Sequence, residues 1–156
     1  MSLLLDLVRH ADALPKAPAG SDFERALSPL GRKQALLLAE RLRERGIPDQ
    51  VRCSPATRTR QTLAPLGYDF TAAAEYPEQI YECEWEVLLD LVESLRPQAA
   101  HALVVAHNPG LTDLATFLVG ADAPPMVTAA HLRILVPTRP ARPLRGKSRL
   151  LEAWSP

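Results

Sequence analysis

Two short apolar runs, Leu3–Val8 and the much later Ala102–Ala106, constrain the fold of this chain more than anything else in it. Both are continuous rather than alternating, the pattern of strands covered on both faces. Both end in chemistry, Arg9-His10 after the first and His107 after the second. Gln50–Cys53 reads as a third, shorter strand, and Ser54-Pro55 then opens a helix to about Leu66 that carries Arg58. Ligands of open α/β sheets bind outside the C-terminal ends of the strands. Two histidines and two arginines are therefore expected at one sheet edge.

The remaining segments fit between these strands. Asp6, inside the first run, must find a polar partner. Asp12 to Arg25 holds Pro15, Pro18 and Gly20 and reads as a loop. Ser28-Pro29 opens a helix with Leu30, Ala35, Leu38 and Leu42 on its buried face, and Gly46 with Pro48 stops it. Asp69–Ala74 is expected as a weaker strand. Glu84 to Leu95 is expected as a helix, with Leu88, Leu91 or Val92, and Leu95 as its apolar stripe. Asn108-Pro109 opens a helix through about Val119. Leu132–Val136 and Leu150–Trp154 read as late strands, joined by a basic, proline-rich connection from Pro137 to Ser148. Strands alternating with helices predict an α/β sandwich forming one domain, 1–156, with no internal repeat.

Composition removes several classes of function. Eighteen basic residues against eighteen acidic ones leave no net field to attract nucleic acid or an anionic membrane. The first apolar run is short and carries Asp6, unlike a signal peptide or a membrane span. Cys53 and Cys83 are too few for a disulfide framework, so a cytoplasmic location is the expectation.

The residues at the sheet edge suit phosphoryl chemistry. A neutral imidazole at His10 can attack phosphorus, provided its other ring nitrogen donates to a carbonyl that fixes the tautomer. Arginine forks at Arg9 and Arg58 match phosphoryl oxygens. His107, protonated beside a phosphate, would add to the charge stabilisation. No cofactor or metal is required by this scheme. Ser54 and Asn108 read as helix caps within reach of the same cleft, and Thr128 as part of a loop that reaches it. Arg60 is expected to be exposed, His101 and His131 to be structural or surface residues, and Trp85 and Trp154 to be packing residues.

These segments together resemble the histidine phosphatase, or phosphoglycerate-mutase-like, superfamily. Leu7-Val8-Arg9-His10-Ala11 is similar to its opening motif, with Ala11 where glycine is commonest. Leu27-Ser28-Pro29-Leu30-Gly31-Arg32-Lys33-Gln34-Ala35 resembles its first helix start. Ser54 to Thr62 resembles the second arginine segment, and Val105-Ala106-His107-Asn108-Pro109 the second histidine segment. Compact length and Pro124-Pro125-Met126-Val127-Thr128 point to the SixA-type phosphohistidine phosphatase branch. The resemblance implies a three-layer sandwich with a central, mostly parallel mixed sheet. It also implies a phosphatase acting on a phosphorylated substrate, such as a phosphohistidine-bearing protein. Many members carry an acidic proton donor, for which Glu82 is the nearest match, with Glu78 and Glu84 close by.

Rival chemistries fit less well. Cys53 precedes Arg58 by four intervening residues, one fewer than the cysteine-phosphatase signature has, and Pro55 removes a donor from any phosphate cradle. A metal site built on His10, Asp12, His107 and Asp113 would place two guanidiniums beside a dication. A small-molecule phosphomonoesterase of the same mechanism and a non-catalytic phosphate-binding module remain as alternatives.

Overall fold

The structure is a computed structural model describing residues 2–95, 97, 99–143 and 145–156. Six strands form one sheet in the order β3-β2-β4-β1-β5-β6. These are β1 (Ser2–Arg9), β2 (Gln50–Cys53), β3 (Ala74–Glu75), β4 (His101–Ala106), β5 (His131–Pro137) and β6 (Arg149–Trp154). The first four run parallel; β5 and β6 are antiparallel additions. The register aligns Arg9 with Ala106 and Cys53 with Val105, so β1, β2 and β4 end level with one another. Because β5 runs the other way, its first residue, His131, pairs with Val8 at that same end. The sheet edge holding the site is thus built from three strand ends and one strand start.

Helices cover both faces. On one lie α1 (Pro29–Arg43), α2 (Thr57–Leu63) and the short α3 (Tyr68–Thr71). Their Leu38, Leu42, Leu63 and Phe70 pack with Val8, Val51, Leu103 and Val105 of the sheet. On the other lie α4 (Trp85–Leu95) and α5 (Gly110–Val119), where Leu88, Val92, Leu111 and Leu114 meet Leu3, Leu5, Leu7 and Val104. The alternation along β1 follows the strand period of two, Leu3, Leu5 and Leu7 facing one layer and Asp6 and Val8 the other. This is the expected three-layer α/β architecture. Among the described residues no helix is long and apolar enough to cross a membrane.

A third small apolar cluster, Ala11, Leu27, Ala35 and Ala129, lies beneath the site. It forces close approach of α1 to the segment after β1. A Cβ on Gly31 would come within 1.9 Å of the Asp12 carbonyl oxygen, so only glycine fits there. Ser28 caps the helix by accepting from the Gly31 N–H at 3.0 Å and donates to the Asp12 carboxylate.

Some sequence expectations shift. Asp69–Ala74 is not a strand: Tyr68–Thr71 forms a helical turn on the Gly67 carbonyl, and only Ala74–Glu75 pairs with β2. Phe70 is the one buried side chain of that turn, and a single anchor sets no alternating pattern. Leu30 is 56% exposed, because a first-turn residue ahead of Gly31 points past the core that Ala35, Leu38 and Leu42 fill. Val92 rather than Leu91 completes the buried stripe of α4. The basic connection after β5 is partly neutralised by pairing of Arg142 with Asp90 and Glu93; Leu144 within it lies outside the described residues.

Candidate functional site

His10 follows the last residue of β1, and its position is set from three sides. Its N–H donates to the Ala106 carbonyl of β4, its carbonyl accepts from Ala129 N–H, and its Nδ1 lies 2.8 Å from the Ala11 carbonyl. A carbonyl can only accept, so Nδ1 carries the proton and Nε2 keeps its lone pair. Burial, opposed in part by the Ala11 hydrogen bond and reinforced by Arg58, Arg9 and Arg25, lowers the imidazole to about 4. At neutral pH the ring is unprotonated at Nε2, the form in which an imidazole can act as a nucleophile. The carbonyl partner that the mechanism requires is Ala11.

Arg9 is anchored by the loop before β5. Its N–H donates to Ala130, and its Nη1 donates to the Met126 carbonyl at 3.1 Å. Asn108 Nδ2 donates to the same carbonyl, while its Oδ1 accepts from Thr112. The Thr128 loop therefore reaches the site through its backbone. Ala129 holds a φ of 60°, a left-handed conformation that costs free energy in a residue with a Cβ and commonly marks functional loops.

Arg58, in the first turn of α2, has a fully buried side chain. Its Nη1 donates to the Asp22 carbonyl at 2.8 Å, and Nη2 donates to Asp22 Oδ2 at 3.1 Å and Glu82 Oε1 at 2.5 Å. Asp22 sits in a single 3-10 turn, Asp22–Glu24, and also receives Tyr81 Oη and Arg25 Nε. The Tyr81 hydrogen bond and the arginines hold its carboxyl down at about 2. Glu82 has a φ of 48°, a second left-handed residue beside the site.

His107 follows β4 with its ring centroid 5.3 Å from that of His10. Its Nε2 is 2.7 Å from Ser54 Oγ, so Ser54 holds this imidazole, a role that a cap reading of its position did not anticipate. Nδ1 lies 3.5 Å from Glu82 Oε1, too poorly aligned for a hydrogen bond. Burial first, then Arg58 and His10, lower the ring to about 3, so His107 is neutral until an anion arrives. Three buried nitrogens, Arg9 Nε, Arg58 Nε and His107 Nδ1, have no hydrogen-bond partner in the protein. Such groups are costly, and all three belong to the charged and imidazole side chains gathered around His10.

The other noticed residues fall elsewhere. Cys53 is buried on β2, donates to the Ser54 carbonyl, and burial pushes its thiol up to about 12, which makes a poor nucleophile. Arg60 is exposed and covers the Tyr76 ring at 4.1 Å, and Trp85 stacks on Phe117. His101 and His131 are structural, both donating to Asp6. Among the described residues no group of three His, Cys, Asp or Glu side chains is gathered as a metal site would need. Asp22 and Tyr81 were not legible as site residues; Ser54 was read as a helix cap within reach of the cleft, and its hydroxyl meets His107 there. Only the polar, turn-forming character of Ser21-Asp22 hinted that the loop carried anything.

An α/β sheet that gathers two imidazoles and two arginines at the C-terminal ends of its parallel strands suits phosphoryl-transfer chemistry. Residues 5–116 match the histidine phosphatase superfamily, branch 1, and the chain belongs to that family. It is a phosphatase. An uncharacterized protein of Mycobacterium tuberculosis is 34% identical over 134 residues, covering 84% of this chain and 82% of the relative. Several solved structures sharing the fold are of the SixA type. One from Nakamurella multipartitia has a TM-score of 0.86 at 25% identity, covering 100% of this chain and 97% of that one. The protein histidine phosphatase SixA complexed with tungstate has a TM-score of 0.83 at 23% identity, covering 98% and 97%. A mycobacterial glucosyl-3-phosphoglycerate phosphatase shares the fold more distantly, with a TM-score of 0.73 at 16% identity and 99% of both chains covered.

Proposed function

We propose that this phosphatase works through a phosphohistidine on His10 and that its substrate is a phosphohistidine borne by another protein. The observation that carries the reading is the fixed tautomer of His10 beside three buried, unpartnered donors. Nε2 attacks phosphorus, the bond from phosphorus to the substrate nitrogen breaks, and that electron pair leaves with the imidazole. Arg9, Arg58 and His107 hold the phosphoryl oxygens, where charge accumulates. Water then attacks the phosphoenzyme, its oxygen bonds phosphorus, and the electron pair returns to Nε2 as phosphate departs. Glu82, hydrogen-bonded to Arg58 and 3.5 Å from His107 Nδ1, would take the proton of that water.

A nitrogen-linked substrate makes fewer demands on a proton donor than an oxygen-linked one, and Glu82 Oε1 is already engaged by Arg58. An alkoxide leaving group needs a proton as it departs. An imidazole protonated on its distal nitrogen leaves neutral without one. The SixA-type neighbours support the same substrate, whereas the glucosyl-3-phosphoglycerate phosphatase supports a small-molecule reading with the same mechanism. A hydrolysis panel of phosphohistidine protein, sugar phosphates and an aryl phosphate separates them. The highest kcat/KM is expected on phosphohistidine protein, and a strong preference for sugar phosphates would overturn the substrate assignment.

A further inference from the structure

Four rings follow one another in contact, starting from His10. His10 and His107 have centroids 5.3 Å apart, His107 and Tyr81 5.5 Å at 84°, and Tyr81 and Phe23 5.1 Å at 78°. The last member, Phe23, is 36% exposed, an aromatic side chain kept at the surface of a short turn. An exposed phenylalanine in a loosely held loop would carry no message. This turn is not loosely held. Its Asp22 backbone carbonyl accepts from Arg58 Nη1, and its carboxylate accepts from Arg58 Nη2, Tyr81 Oη and Arg25 Nε. The hydrogen bonds that fix the buried Arg58 side chain also fix the turn that carries Phe23.

We propose that Phe23 and Tyr81 form an aromatic step that receives the group attached to the phosphoryl, and that they select a planar, uncharged or cationic ring over an aliphatic one. The chemical class is a phosphorylated aromatic nitrogen heterocycle, with the imidazole of phosphohistidine fitting best. This rests on the His10 centre being the phosphate site, but not on its turning over. Tyr81 already meets Phe23, His107 and the Arg58 guanidinium, whereas Phe23 is 36% exposed and can meet a further ring by stacking or by an edge, the arrangements aromatic pairs prefer. Asp22 and Glu82, flanking the same two rings, favour a cationic ring over an anionic one. His10 and His107, at the inner end of this series of rings, belong to the proposed phosphate site.

Binding of non-hydrolysable probes tests the step without any dependence on catalysis. Phenylphosphonate, ethylphosphonate and inorganic phosphate are titrated calorimetrically into the protein and into Phe23→Ala and Phe23→Tyr. The expected result is tighter binding of phenylphosphonate than of ethylphosphonate. Phe23→Ala should remove about three- to tenfold of that difference, the size of an aromatic pair, and Phe23→Tyr should retain it. Inorganic phosphate, which does not reach the step, should bind all three proteins equally and so reports intact folding. An unchanged phenyl-to-ethyl ratio in Phe23→Ala overturns the proposal, as does an equal loss for both phosphonates. Failure of inorganic phosphate to bind the parent protein would instead count against the His10 centre as the phosphate site, and with it against the catalytic reading.

Discussion

Strand β1 carries two buried charged clusters only three residues apart, and they are built on opposite terms. At Asp6 every need is met. Oδ1 accepts from His131 Nε2 at 2.7 Å and Arg133 Nε at 2.8 Å, and Oδ2 accepts from Arg133 Nη2 at 2.8 Å and His101 Nε2 at 2.6 Å. His131 is engaged on both nitrogens, because Arg41 Nε donates to its Nδ1. Arg41 in turn pairs with Glu152, which also holds Arg45. At Arg9 and His10 the opposite holds: three donor nitrogens are buried without partners. The first cluster spends its hydrogen bonds on the fold, clamping β1 to β4 and β5. The second keeps donors unspent for a ligand. Completeness of hydrogen bonding, rather than burial or charge, separates structural from functional ions on one strand.

The comparison can be broken at either end. The largest effect belongs to His10→Ala, which should lower phosphatase turnover by about four orders of magnitude or more while leaving the thermal midpoint intact or raised. A variant retaining a tenth of the activity would remove His10 from the chemistry. Asp6→Asn acts the other way. It strips a buried ion from its arginine and should cost about 3–5 kcal/mol in denaturant unfolding. A loss under 1 kcal/mol would show the clamp to be ornamental. Arg58→Lys should lower kcat by about 10²–10³-fold, since a point charge replaces a fork aimed at the transition state.

Acid should separate the two clusters further. His10 and His107 have folded-state values near 4 and 3, below the ordinary histidine value of 6.5. Between those limits the unfolded chain binds more protons than the folded one, so stability falls as pH drops from about 6.5 toward 4. Asp6, whose carboxyl its partners hold far below the usual range, adds its own loss only beneath about 4. Thermal melts across this range should show the first slope vanish in a His10→Asn, His107→Asn double variant and the second persist. A single slope untouched by the double variant would contradict the assignment. The smallest effect is expected of Cys53→Ser, with near-normal activity, because the buried thiol takes no part; abolished activity would revive the cysteine mechanism.

How much of this was legible in the sequence follows the same division. Arg9, His10 and His107 could be placed because each ends an apolar run, and a strand end projects its neighbours to a known edge. Arg58 could be placed because Ser54-Pro55 signalled a helix nearby, although the helix begins two residues later, at Thr57, with Ala56 rather than Ser54 at its N-cap and no side-chain cap. The partners of Asp6 could not be named, because Arg133 and His131 lie more than 120 residues away and no period links them. Asp22 and Tyr81 were hidden for the same reason, meeting Arg58 across loops of no regular pattern. Leu30 shows the limit of periodicity itself: its spacing fits the buried stripe, but the helix start turns it to solvent.

The central claim, an imidazole that bonds phosphorus, is tested most directly by alkaline quench of the enzyme with ³²P-labelled phosphohistidine protein, followed by mapping of the label. The account predicts an acid-labile, alkali-stable phosphoryl group on His10, absent from His10→Ala. Label on another residue, or turnover with none trapped at any time, would contradict it.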